Sequence, residues 1–124
     1  MTNEVLNTMK TRRSCRCYLD KMPEPEALNA VLEAGTWAPT GMGRQSLVMG
    51  NMLNAAESVG LSACWIHRAK EMFETAEGQA LLKKWGVPNA ENLRGVGNCI
   101  LGYAAEGGKK APAPRKENYV VLVK

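Results

Sequence analysis

Residues 46–59 carry Leu47, Val48, Met49, Met52, Leu53, Ala55, Ala56 and Val59. At about 100° per residue these side chains run round most of a helix, and such a helix has to be covered on nearly every side. The rest of the chain offers little cover. Three stretches read as strands, all short: 63–66, 97–103 and 118–123. A three-stranded sheet is thin protection for that helix. A second copy of the chain is the economical cover, and a terminal strand after a flexible link is well placed to pair with a partner's sheet.

The other elements follow from local chemistry. Val5, Leu6 and Met9 mark a short first helix, with Thr2 or Asn3 as its cap. Pro23, Pro25 and the acids Glu24 and Glu26 open a second helix, which runs through Leu28, Val31 and Leu32 to about Gly35. Residues 37–45 are a loop, since Pro39 disfavours helix at Ala38 and Gly41 and Gly43 let backbone approach a ligand. Gly60 ends the central helix. Residues 69–85 read as one or two helices, ended at Gly86, Val87 and Pro88. At 124 residues this is one domain, 1–124, with helices preceding scattered strands: an α+β class.

Charge is the second constraint. The formal net charge is +4, and much of it is local. Lys10, Arg12, Arg13 and Arg16 form one cluster; Lys109, Lys110, Arg115 and Lys116 form another. Guanidinium forks match a phosphate bidentately, and Ser14 adds a hydroxyl donor within the first cluster. The pattern suits a phosphate monoester on a small molecule, or a nucleic-acid backbone. Aromatic residues are only 6% of the chain, too few for base-stacking platforms, and no nucleic-acid motif is present.

The start is polar and mixed in charge, and no apolar run approaches a membrane span, so a soluble cytoplasmic protein is expected. Cys15, Cys17, Cys64 and Cys99 lack zinc or dithiol spacing; free structural thiols in a reducing compartment and no metal are expected. His67 reads as a wall or surface residue rather than a general acid. Trp37, Trp65 and Trp85 read as core or interface.

These motifs, in this order, resemble the flavin-dependent nitroreductase family. Arg12-Arg13-Ser14-Cys15-Arg16 is similar to its R-R-S-x-R phosphate cluster. Residues 26–40 (EALNAVLEAGTWAPT) resemble its second helix and following A-P-[ST]-G loop, and residues 51–66 (NMLNAAESVGLSACWI) its central helix and next extended segment. Residues 97–103, then Pro114-Arg115-Lys116 and a valine-rich end, resemble its C-terminal part. The resemblance implies a central mixed β-sheet flanked by helices, in a domain-intertwined homodimer with two FMN sites at the interface. It implies hydride transfer from NAD(P)H through FMN to a quinone, nitroaromatic or similar small-molecule acceptor, in two steps. It assigns Arg12, Arg13, Ser14 and Arg16, with Arg115 and Lys116, to the FMN phosphate and ribityl chain. Pro39, Thr40 and Gly41 would lie against the partner's flavin, Gln45 would contact it by its amide, and the backbone of Ile66, His67 and Arg68 would run along its reactive edge. The flavin carries the chemistry, so no catalytic side chain and no metal are expected. Neither membrane nor nucleic acid is an expected partner.

Two departures stand out. Gly43 occupies a position where many members have Asn. At Gln45-Ser46 the loop runs straight into the central helix, where the family has a strand, a helix and a second strand. The shortened sheet agrees with that gap. Three accounts fit it: a sequence from which a stretch is left out, an internal deletion that folds by other pairings, or a non-catalytic remnant that no longer holds flavin. A basic nucleic-acid-binding module is the remaining alternative.

Overall fold

The computed structural model describes residues 1–39, 46–117, 120, 121 and 123. In chain order the elements are α1 (Glu4–Thr11), α2 (Pro25–Thr36), α3 (Ser46–Ser58), β1 (Ser62–Ile66), α4 (Ala69–Phe73), α5 (Ala76–Lys84), a 3-10 turn (Ala90–Asn92) and β2 (Asn98–Gly102). The α+β order expected from the sequence is present. Residues 69–85 form two helices because Thr75 restarts the chain, its hydroxyl accepting from the Gly78 amide at 3.0 Å.

β1 and β2 pair antiparallel, with Cys64 opposite Ile100 and Trp65 opposite Cys99. Among the described residues the sheet has two strands, reduced from the family's mixed sheet as the gap at Gln45-Ser46 leads one to expect. A third, fragmentary strand stands in for the rest. Ser14 bridges Ala63 in parallel, while Cys15 bridges Lys109 and Tyr18 bridges Ala104 antiparallel. The expected terminal strand is not formed at the positions described: Val120, Val121 and Val123 lie in irregular, exposed backbone. Asn118, Tyr119 and Leu122 lie outside the described residues.

The core sits where α3 packs against α2 and against β1. Val31, Met49, Leu53, Ala56, Leu61 and Ala63 are buried together. Gly35 is buried there, and a Cβ on it would stand 3.0 Å from Met52 Cγ, so the glycine sets how closely the two helices approach. Asn51 ties them by donating to the Ala34 carbonyl at 3.1 Å. α3 ends at Gly60, whose φ of +77° any other residue would adopt at a cost. Leu61 N donates to Ala56 O at 2.8 Å and Gly60 N to Glu57 O at 3.3 Å, a Schellman ending that drives Leu61 into the core.

α3 is not covered on every side within one chain. Met49, Leu53 and Ala56 are buried, but Leu47 is 46% and Val59 is 38% exposed. α1 has no buried residue, and its Val5 and Met9 are exposed. Trp65 is half-buried against the core, whereas Trp37 and Trp85 are exposed. Among the described residues no helix is long and apolar enough to cross a membrane.

Candidate phosphate site and the edge of strand β1

The chain leaves α1 at Arg12, whose backbone turns extended (φ −52°, ψ 133°). Arg13 folds back on the helix end it has just left. Its Nη1 donates to the carbonyls of Lys10 and Arg12, both at 2.7 Å, which satisfies groups that a helix C-terminus leaves open. From there the segment is extended, and extended backbone sends alternate side chains to opposite faces. Cys15 points inward and is wholly buried, while Ser14 and Arg16 line a cavity on the outer side.

Backbone bonds join this segment to the C-terminal part of the chain. Cys15 N donates to Ala63 O at 3.1 Å, Arg16 N to Gly108 O at 3.0 Å, Ala105 N to Cys17 O at 2.9 Å and Leu19 N to Tyr103 O at 2.9 Å. Tyr18 Oη donates to Cys15 O at 2.8 Å, and burial, with smaller contributions from neighbouring cysteines, pushes the Tyr18 phenol up to about 12. Burial likewise raises the Cys99 thiol. All four cysteines are free: Cys15 and Cys64 buried, Cys99 half-buried, Cys17 exposed.

The stitching brings the two basic clusters together. An open cavity of about 230 Å³ lies between Arg12, Arg13, Ser14 and Arg16 on one wall and residues 110–113 with Arg115 on the other. Five cationic side chains and one hydroxyl line it, with no carboxylate among them. Arg13 Nε is buried and has no hydrogen-bond partner among the described residues. An unpartnered buried donor is costly unless something accepts from it. Five positive charges around one small space favour a multiply charged anion. The donor set therefore fits a phosphate group.

The other expected residues are placed less closely. Lys116 is exposed and does not line the cavity, whereas Lys110 does. Lys110 belongs to the basic cluster visible in the sequence, but only the pairing at 14–16 shows which of its lysines turns inward. Pro39 is exposed at the end of the described loop, and Thr40, Gly41 and Gln45 lie outside the described residues. Ile66, His67 and Arg68 sit at the far end of β1 from the bridge at Ala63, with Ile66 about 10 Å along the strand. His67 is exposed and leans on Trp65, ring centroids 4.8 Å apart. Arg68 holds φ +78°, a left-handed conformation that no sequence pattern announced. It turns the chain from β1 into α4 and pairs loosely with Glu71 at 3.9 Å. Non-glycine residues held in that region cluster at functional sites. No group of three or more metal-ligating side chains occurs among the described residues.

The model of the nitroreductase family matches residues 9–48, the span from α1 through the first basic cluster to the start of α3. A nitroreductase with bound FMN from Bacteroides fragilis NCTC 9343 is 26% identical, with a TM-score of 0.89 over 99% of this chain and 100% of that one. A nitroreductase with bound FMN from Desulfitobacterium hafniense DCB-2 is 19% identical and shares the fold at a TM-score of 0.84 over the full length of both chains. A protein from Bacteroides thetaiotaomicron VPI-5482, named for an NADH dehydrogenase/NAD(P)H nitroreductase activity, is 22% identical at a TM-score of 0.76, over 99% of this chain and 98% of that one. No curated protein matches the chain significantly.

Proposed function

We propose, for a chain that has the nitroreductase fold and resembles that family along nearly its whole length, an FMN-dependent oxidoreductase whose cofactor phosphate seats in the cavity between the two basic clusters. The observation that carries this reading is the convergence of Arg12, Arg13, Ser14, Arg16, Lys110 and Arg115 on one space that holds no carboxylate. A duplex-binding surface would spread its cations over a broad face; here five converge on one small open cavity, which favours a compact phosphate over a nucleic-acid backbone.

In this reading Ser14 and the guanidinium groups grip the phosphate, with Arg13 presenting the Nε donor that lacks a partner. β1 sets the direction from that grip, and the backbone of Ile66, His67 and Arg68 orients the ring end. When bound, the flavin supplies two-electron chemistry between NAD(P)H and an acceptor such as a quinone or nitro compound, in two half-reactions. The protein supplies binding, orientation and an open face, and no side chain serves as nucleophile. Pro39, Thr40, Gly41 and Gln45 are assigned to the partner's flavin, and Lys116 to the outer approach to the phosphate.

A homodimer belongs to the same proposal. The outer faces of α1 and α3 share an apolar-walled groove lined by Val5, Met9 and Ala55, which suits a second copy. The cytoplasm is the proposed compartment, supported by four free thiols. The test is retention of flavin. Arg12→Ala with Ser14→Ala is expected to abolish FMN binding while riboflavin, which lacks the phosphate, binds no worse than before. A double variant that holds FMN as tightly as the parent refutes the phosphate assignment.

A further inference from the structure

One wall of the cavity is built without secondary structure. Among the described residues no backbone hydrogen bond joins 111–117 to the rest of the fold, yet Pro112 and Arg115, with Lys110 before them, line the cavity. The wall's last fixed points are Gly108, which accepts from Arg16, and Lys109, which bridges Cys15. Alternation then separates two consecutive lysines. Lys110 faces the cavity, while Lys109 Nζ reaches Glu57 near the end of α3, 3.0 Å from Oε1 and 2.8 Å from Oε2. The other ion pairs described join residues three or four apart in sequence; this one joins residues 52 apart, and its side chains are the least exposed of the set. A carboxylate in the last turn of a helix is electrostatically misplaced unless a cation answers it.

We propose that Glu57 and Lys109 are positioning residues for the anion site: the pair clamps the C-terminal wall to α3 and so holds Lys110 and Arg115 over the phosphate. This rests on the reading of the cavity as a phosphate site and adds the device that shapes it. The clamp makes a prediction opposite in sign to simple electrostatics. Glu57→Gln removes a negative charge near the basic cavity, so the field alone would tighten anion binding. Loss of the clamp frees the wall, and ordering it then opposes binding.

The experiment measures FMN and riboflavin affinity, with thermal midpoints, for the full chain and for Glu57→Gln, Lys109→Met, Lys109→Arg and the swap Glu57→Lys with Lys109→Glu. Glu57→Gln and Lys109→Met are each expected to weaken FMN about fivefold, the scale of one partly buried ion pair. Riboflavin affinity stays unchanged in all variants, and Lys109→Arg and the swap return FMN affinity to within about twofold of the parent. Tighter or unchanged FMN binding in Glu57→Gln overturns the clamp, as does equal weakening of FMN and riboflavin, which would mark general destabilisation. A swap as weak as the single variants overturns it too. If the parent binds no FMN but is stabilised by inorganic phosphate, the flavin reading fails and the same variants decide the clamp with phosphate as probe. If the parent binds neither, the clamp falls with the site.

Discussion

Gly97→Ala is the sharpest test of how β1 is seated. A Cβ at Gly97 would fall on the indole of Trp65, 2.8 Å from Cδ1 and 2.9 Å from Cε2, with Nε1 nearer still. Ordinary contact begins at 3.4 Å, so the ring has to shift by more than a few tenths of an ångström. It has little room. Trp65 packs on the core cluster, its Nε1 is already buried without a partner among the described residues, and the His67 ring stands 4.8 Å from its own. Forcing one methyl into a filled space costs about 1–3 kcal/mol. We expect the upper half of that range, since the obstacle is a rigid ring rather than the end of a flexible chain. At a slope of about 2 kcal/mol per molar urea, the unfolding midpoint drops by roughly 1 M. Gly50→Ala is the control. Gly50 lies inside α3, and a Cβ there meets nothing within 4 Å, so the substitution should stabilise by about 0.5–1 kcal/mol. Urea unfolding of both variants settles the matter. A Gly97→Ala unfolding free energy within about 0.5 kcal/mol of the parent would refute the packing argument.

Three further outcomes follow from the same structure. Val31→Ala removes two methyl groups from a side chain with no exposure at the α2–α3 contact, and should cost about 2–3 kcal/mol in urea unfolding. Tyr18→Phe removes the 2.8 Å bond to Cys15 O and should cost about 1 kcal/mol near neutrality. Because the Tyr18 phenol is raised to about 12 in the folded chain, its contribution is complete below about pH 10 and is lost as pH climbs through 12; midpoints taken across that window should fall more steeply in the parent than in Tyr18→Phe. FMN affinity should fall steeply with added salt and riboflavin affinity hardly at all, as titrations at two ionic strengths would read, because only the former uses the five cations of the cavity.

How much of this was legible in the sequence depends on the range of the interaction that decides it. Helix ends were readable because caps are local: Asn3 accepts from Leu6 N at 2.9 Å, Pro25 opens α2, and Gly60 closes α3. The cationic side chains were readable as two clusters, since arginine and lysine spacing is visible in one dimension. That the clusters meet was implied by the family resemblance, which assigns both to one phosphate, and not by charge spacing, because it depends on Cys15 and Arg16 pairing with Ala63 and Gly108, contacts between residues far apart in the chain. The same distance hid that Lys110 lines the cavity and that Glu57 pairs with Lys109. Arg68 escaped for another reason: a left-handed arginine has no compositional mark, unlike a left-handed glycine. The valine-rich end reads as a strand by composition alone, but strand formation needs an edge to pair with, and Val120, Val121 and Val123 pair with none among the described residues.

The central claim is that this short chain holds a flavin by its phosphate. The visible absorbance of the purified protein, recorded after adding excess FMN and desalting, tests it most directly. The account predicts a flavin band that survives desalting, and none when riboflavin replaces FMN. A colourless protein after both treatments would contradict it, and would mark the chain as a fold that has kept its basic cavity but lost its cofactor.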